Sequence, residues 1–65
     1  MKKMAIAVEI GEIVNLEEYG VCDVVGKDVG KSNGKPVITL TVEDYGNGYT
    51  VDVDFDPSDL INMED

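Results

Sequence analysis

Alternation with period two runs through the second half of the chain. In residues 35–43, Ile38, Leu40 and Val42 share one parity, and Thr39, Thr41 and Glu43 share the other. In residues 50–56, Val51, Val53 and Phe55 alternate strictly with Asp52, Asp54 and Asp56. Successive side chains of a strand point to opposite faces, so each run predicts a strand with one apolar and one polar face. No stretch shows the 3.6-residue spacing of an amphipathic helix. Between the two runs, Gly46-Asn47-Gly48 supplies the positive φ angles of a tight hairpin turn. Two registers bring both apolar sets to one face. A loop at Asn47-Gly48 pairs Val42 with Val53 and Leu40 with Phe55, and sets Glu43 directly across from Asp52, a destabilising like-charge pair. A loop at Gly46-Asn47 pairs Val42 with Val51 and Leu40 with Val53, and leaves those two acids diagonal. A three-residue loop in a regular ladder opposes apolar to acidic residues and is rejected unless a bulge restores the phase.

Upstream, strands are expected at 12–16 and 20–25, separated by the acidic turn Glu17-Glu18-Tyr19, with Gly11 at a bend. Residues 26–35 combine three glycines with Asn and Ser, and read as a mobile, polar, locally basic loop. Pro57 cannot continue a central ladder, so Asp56-Pro57-Ser58-Asp59-Leu60 reads as one helical turn before a short last strand at 61–63. This order resembles the SH3-like small barrels of KOW and Tudor type over nearly the whole chain from Gly11. It begins with Gly11-Glu12-Ile13-Val14 and a long loop, continues with a strand entered through Gly34-Lys35 and a tight hairpin, and ends in Asp-Pro-Ser-Asp-Leu before the last strand. The resemblance implies an all-β fold, a five-stranded antiparallel barrel with one helical turn before the last strand, in which residues 1–65 make a single domain. It implies no function, because such barrels bind peptides, RNA, DNA and other proteins. The chain departs from the peptide-binding and methyl-lysine-binding members: it has no Trp, Phe55 points inward, and only Tyr19, Tyr45 and Tyr49 are left to form an aromatic cage.

A net charge of −9 raises the question of disorder, but 43% hydrophobic residues, ten valines and five isoleucines among them, supply enough β-branched surface for a folded core. That core is small. A chain of this size buries roughly 60% of its unfolded surface and gains no more than about 3–5 kcal/mol without a disulfide, metal or oligomer. The single cysteine, Cys22, excludes an internal disulfide and shares the inward parity of Val24. Self-repulsion among 14 acidic groups predicts that moderate salt stabilises the fold. Two lysines followed by the apolar run 4–8 faintly resemble a signal peptide, but Glu9 ends the run too early for an h-region or a membrane span. The cytoplasm is the expected location, in keeping with a free thiol.

The five lysines all lie within the first 35 residues, where six acids nearly balance them; residues 36–65 carry eight carboxylates and no basic side chain. Such a field selects basic partners and repels nucleic acid and anionic membrane. The residues expected to meet the partner are Glu43, Asp44, Asp52, Asp54, Asp56 and Asp59 as charges, with Tyr45 and Tyr49 as anchors flanking the turn. Three aspartates at about 6.7 Å spacing are too sparse to imitate duplex DNA, which carries one charge per ~1.7 Å, so neighbouring acids must contribute. Small acidic phage-encoded proteins that occupy the basic cleft of a polymerase, nuclease or restriction factor as nucleic-acid mimics are similar in overall look. That resemblance implies an inhibitor or modulator of a nucleic-acid-processing protein, acting in a host cytoplasm.

Three competing readings stand beside it. The aspartate row serves equally as the solvated face of an amphipathic strand that resists aggregation. The chain also reads as a structural or adaptor barrel acting through an exposed edge strand or a homo-oligomer. Asp52-x-Asp54-x-Asp56 matches the first ligand positions of an EF-hand loop, yet Pro57 stands where that loop needs Gly and Met63 where it needs Glu, which leaves weak divalent-ion association. Catalysis has little footing: the chain lacks His and Arg, Ser32 and Ser58 have no visible base, and Gly26-x-x-x-Gly30-Lys31-Ser32 lacks the spacing and helix of a phosphate loop. A non-enzymatic protein without cofactor is expected.

Overall fold

The computed structural model describes residues 1–64. Its strands are β1 Lys2–Met4, β2 Ile13–Leu16, β3 Gly20–Ser32, β4 Lys35–Asp44, β5 Thr50–Phe55 and β6 Leu60–Asn62, with a 3₁₀ turn at Ala5–Ala7. Strands β2-β3-β4-β5 form one antiparallel sheet in that order, and β1 pairs with β6. A bridge between Val14 and Met63, with the Glu64 N–H donating to Ile13 O at 2.9 Å, lays the end of β6 along β2. The Ala5 N–H donates to Asp59 O at 2.8 Å and the Ile6 N–H to Pro57 O at 3.1 Å, which ties the 3₁₀ turn to the segment leaving β5. The sheet therefore curls on itself into a small all-β half-barrel that stays open between β5 and the β2–β6 side.

The inward parity of each strand fills the half-barrel. Val14, Cys22, Val24, Ile38, Leu40, Val42, Ile61 and Met63 are buried together, and Leu16, Val51, Val53 and Phe55 pack against them. The β4–β5 register pairs Val42 with Val51, Leu40 with Val53 and Ile38 with Phe55. This is the register of a loop centred on Gly46-Asn47, and Glu43 lies diagonal to Asp52 as that register requires. Ala5 and Val8 are also buried, so the N-terminal run caps one end of the core.

Residues 26–32, expected as a mobile loop, are instead the second half of β3, paired with β4 as far as Ser32 and Lys35. Asn33 (φ 53°) and Gly34 (φ 79°) make the two-residue turn, with the paired positive φ angles of a type I′ hairpin. The polar composition of this segment is tolerated because β4 supplies its apolar partner face. A bulge between Val24 and Gly26 shifts the phase, so Lys27 takes the inward parity opposite Leu40. Its ammonium escapes to the rim, donating to Ile6 O at 2.7 Å and lying 3.8 Å from the Glu9 carboxylate. A Cβ at Gly26 would stand 3.1 Å from Thr41 Cβ and Oγ1, so glycine is what allows β3 and β4 this close approach. Residues 56–59 close one hydrogen-bonded turn, Asp59 N–H to Asp56 O at 3.0 Å, without helical structure; the 3₁₀ turn falls in the N-terminal run instead.

Candidate functional site

The outer face of the four-stranded sheet gathers acids from three adjacent strands. By register, one row across the sheet is Asp23, Glu43 and Thr50; the next is Gly26, Thr41 and Asp52; the third is Asp28, Thr39 and Asp54. Asp56 continues this parity beyond the end of β5. Asp52, Asp54 and Asp56 are exposed, as alternation predicts, and Glu43 is half-buried beside Asp23. The threonines of β4 hold the β5 acids in place: Thr41 Oγ1 donates to Asp52 Oδ1 at 2.6 Å and Thr39 Oγ1 to Asp54 Oδ1 at 2.7 Å. One oxygen of each carboxylate is thereby anchored while the other is left to solvent or a partner.

Asp23 and Asp28 were not among the sequence candidates, because the front half of the chain balances its own charge in sequence. The structure separates those charges in space. Lys3 bonds Glu12 at 2.5 Å near the β1 end, Lys27 turns to the rim, and Lys31 and Lys35 stand toward the tip of the β3–β4 hairpin. No lysine falls within the three acidic rows.

Two of the expected contact acids also build turns. Asp44 is half-buried on the inward parity, where its Oδ1 accepts the Gly46 N–H at 2.6 Å and its own N–H donates to Tyr49 O at 2.9 Å. Asp59 accepts the Asp56 N–H at 2.9 Å and closes the turn after β5. Tyr45 (58% exposed) and Tyr49 (75% exposed) project from the hairpin loop on different sides. Partial desolvation, then the negative charge of Asp23, raises the Tyr45 phenol above its ordinary pKa, with a smaller push from Glu64. Tyr49 shares a small hollow of about 210 Å³ with Tyr19 and Asp44, so the three tyrosines do not converge on one cage.

The open side of the half-barrel is a groove of about 510 Å³. One wall is β5 from Asp52 to Phe55; the other is Leu60, Ile61 and Asn62 of β6 with residues 15–19. Because Asp44 bonds Tyr49 across the hairpin, strict ladder alternation directs the N–H and C=O groups of Asp52 and Asp54 away from β4, toward this groove. The side-chain contacts agree: Thr41–Asp52 and Thr39–Asp54 are the non-hydrogen-bonded pairs, in which side chains stand closest.

Cys22 is buried, and its thiol pKa is raised by that burial first and by Asp44 and Asp23 next, the reverse of an activated nucleophile. Among the described residues, no three His, Cys, Asp or Glu side chains cluster to hold a metal ion, and no helix is long and apolar enough to cross a membrane.

The fold and the acidic face together define a small all-β barrel with one strongly charged side. Neither a family model nor a curated protein sequence matches the chain. A translation initiation factor eIF-5A family protein from Naegleria fowleri ATCC 30863 is similar in structure, with a TM-score of 0.82 at 15% identity over 100% of this chain. The chain spans 46% of that protein's length, and at such identity the likeness establishes the fold alone.

Proposed function

We propose that this chain is a non-enzymatic binding domain whose acidic outer face docks on the basic surface of a nucleic-acid-processing protein, as an inhibitor or modulator. The observation that supports this reading is a set of lysine-free rows on the outer face, bearing Asp23, Asp28, Glu43, Asp52 and Asp54 on neighbouring strands and continued by Asp56, with Lys35 kept to the far tip of the β3–β4 hairpin. From the Asp23–Glu43 row to Asp56 the face runs about 20 Å at ~3.4 Å per residue. Those acids then give one charge per roughly 3.4 Å, the axial spacing of phosphates along one strand of a duplex and half the density of both strands together. Mimicry in this reading is therefore of one phosphate strand of a duplex. Asp44 and Asp59 contribute through the turns they build, and Tyr45 sits at the edge of the acidic rows as an amphipathic anchor.

The test is capture from cell lysate by the parent chain and by the Asp52→Asn, Asp54→Asn, Asp56→Asn triple variant, at low and moderate salt. A nucleic-acid-binding protein retained by the parent alone and released by salt is the expected result. Equal retention by both chains would place function off this face.

A further inference from the structure

We infer that the open edge of β5 receives an extended segment of a partner protein as an added antiparallel strand, with Lys or Arg alternating with apolar residues. The inference rests on the reading above for the partner's basic character and adds the form in which the partner is held.

Three features of the groove carry it. The first is the edge itself. Among the described residues, strand β5 pairs with β4 on one side only, and the backbone groups of Asp52 and Asp54 face the groove without a strand partner. Such a row is a template for strand addition, in which main-chain hydrogen bonds supply affinity and alternate side chains supply specificity. The second is the floor. Val53, Phe55 and Leu16 are half-buried there and Leu60 is 64% exposed, so inward side chains of an added strand find apolar surface. At about 510 Å³ the groove falls within the size range of ligand-holding clefts. The third is charge. Asp52 and Asp54 edge the groove from the sheet side and Glu17 and Glu18 from the turn, with no basic residue along its lining.

The pairing rules fix the occupant's pattern. In an antiparallel ladder, residues opposite each other share a face, so the segment's residues across from Asp52 and Asp54 point to the acidic side and are cationic. Their neighbours point to the floor and are apolar. The residues opposite Asp52 and Asp54 also exchange main-chain hydrogen bonds with them. A second copy of β5 does not meet this requirement, because it would set aspartate against aspartate along the new ladder.

The probe is a capped eight-residue peptide of alternating Lys and Val, with two analogues N-methylated at the lysine or at the valine amides. Strand addition predicts that the parent peptide slows amide hydrogen exchange at Asp52 and Asp54 at least tenfold at saturation. Methylation of the lysine amides should weaken binding at least tenfold, while methylation of the valine amides, which face away from β5, should leave it near the parent value. Binding by the lysine-methylated analogue equal to the parent, binding without protection of those two amides, or no binding by the parent peptide would each overturn strand addition. In each of those cases the acidic-face reading survives if lysate capture still depends on salt and on the three aspartates. Edge protection beside lysate capture indifferent to the aspartates would support the edge site and sink the acidic-face reading.

Discussion

Replacing Glu43 with Gln should stabilise this protein. In the ladder Glu43 lies directly opposite Asp23 and diagonal to Asp52, and no lysine shares its rows. Directly opposed side chains in a sheet have Cβ atoms about 4.5–5.5 Å apart and like charges there are destabilising, with pair terms of roughly 0.2–1 kcal/mol. That separation is well inside the ~10 Å Debye length at 0.1 M salt, so the repulsion is only partly screened under ordinary conditions. Removing it should gain about 0.5–1 kcal/mol at low ionic strength, and for a domain of this size 1 kcal/mol shifts Tm by roughly 4–8 °C. The assay is thermal unfolding by circular dichroism in 10 mM and 500 mM NaCl. The parent should gain stability with salt, and the variant should start several degrees higher and gain less. A variant equal to or below the parent at 10 mM salt would refute the electrostatic account; an undiminished gain at 500 mM salt would assign it to something other than charge. A stabilising substitution that also weakens partner capture would mark a face maintained at a cost to folding.

Leu40 is fully buried on the central strand β4, so Leu40→Ala should cost about 2–5 kcal/mol against a total of about 3–5, leaving a chain largely unfolded at 37 °C by amide proton dispersion. Retained native dispersion would show that the margin is larger than the core suggests. The Lys3 ammonium first, and the Glu9 backbone amide next, hold the Glu12 carboxyl below its ordinary pKa. Because the folded value is depressed, this interaction contributes above the unfolded carboxylate range and is lost as pH falls through the folded pKa. The Glu12 side-chain carbon should therefore titrate at lower pH than an unstructured glutamate, and Lys3→Gln should move the midpoint back up; an unmoved midpoint would remove Lys3 as the cause.

Legibility in the sequence followed the clarity of alternation. The β4–β5 hairpin was readable because Val51, Val53 and Phe55 keep strict phase against three aspartates and the like-charge argument favours one of two registers. The β3–β4 hairpin was obscured although Asn33-Gly34 is a strong two-residue turn signal. Glycines at 26 and 30 and lysines at 27 and 31 masked the strand, and the bulge at Val25 broke its phase. The same shift hid part of the acidic face: Asp23 precedes the bulge and Asp28 follows it, yet both reach the outer parity that Glu43, Asp52 and Asp54 occupy. The turn roles of Asp44 and Asp59 depend on bonds to Gly46 and Asp56 that charge patterning does not carry. The buried Ala5 and Val8 were unreadable because 3₁₀ geometry at Ala5–Ala7 has neither of the periods that pattern reading recognises.

An unpaired edge strand ordinarily invites a second copy of itself, and β5 offers its neighbours a groove with an apolar floor as well. What opposes self-pairing is the charge at the very positions whose backbone is free. Across a β5–β5 ladder Asp52 and Asp54 would meet their counterparts, while an incoming cationic segment meets attraction at the same sites. Specificity would then be set by one row of carboxylates that excludes one class of partner and selects another. Asp52→Thr with Asp54→Thr removes that row while keeping side chains that fit a strand. It should make the chain self-associate with increasing concentration in sedimentation analysis at low salt, where the parent resists it, and weaken binding of the Lys–Val peptide. If the double variant sediments as the parent does at every concentration, edge repulsion is not what keeps β5 open, and the aspartates are there for the partner alone.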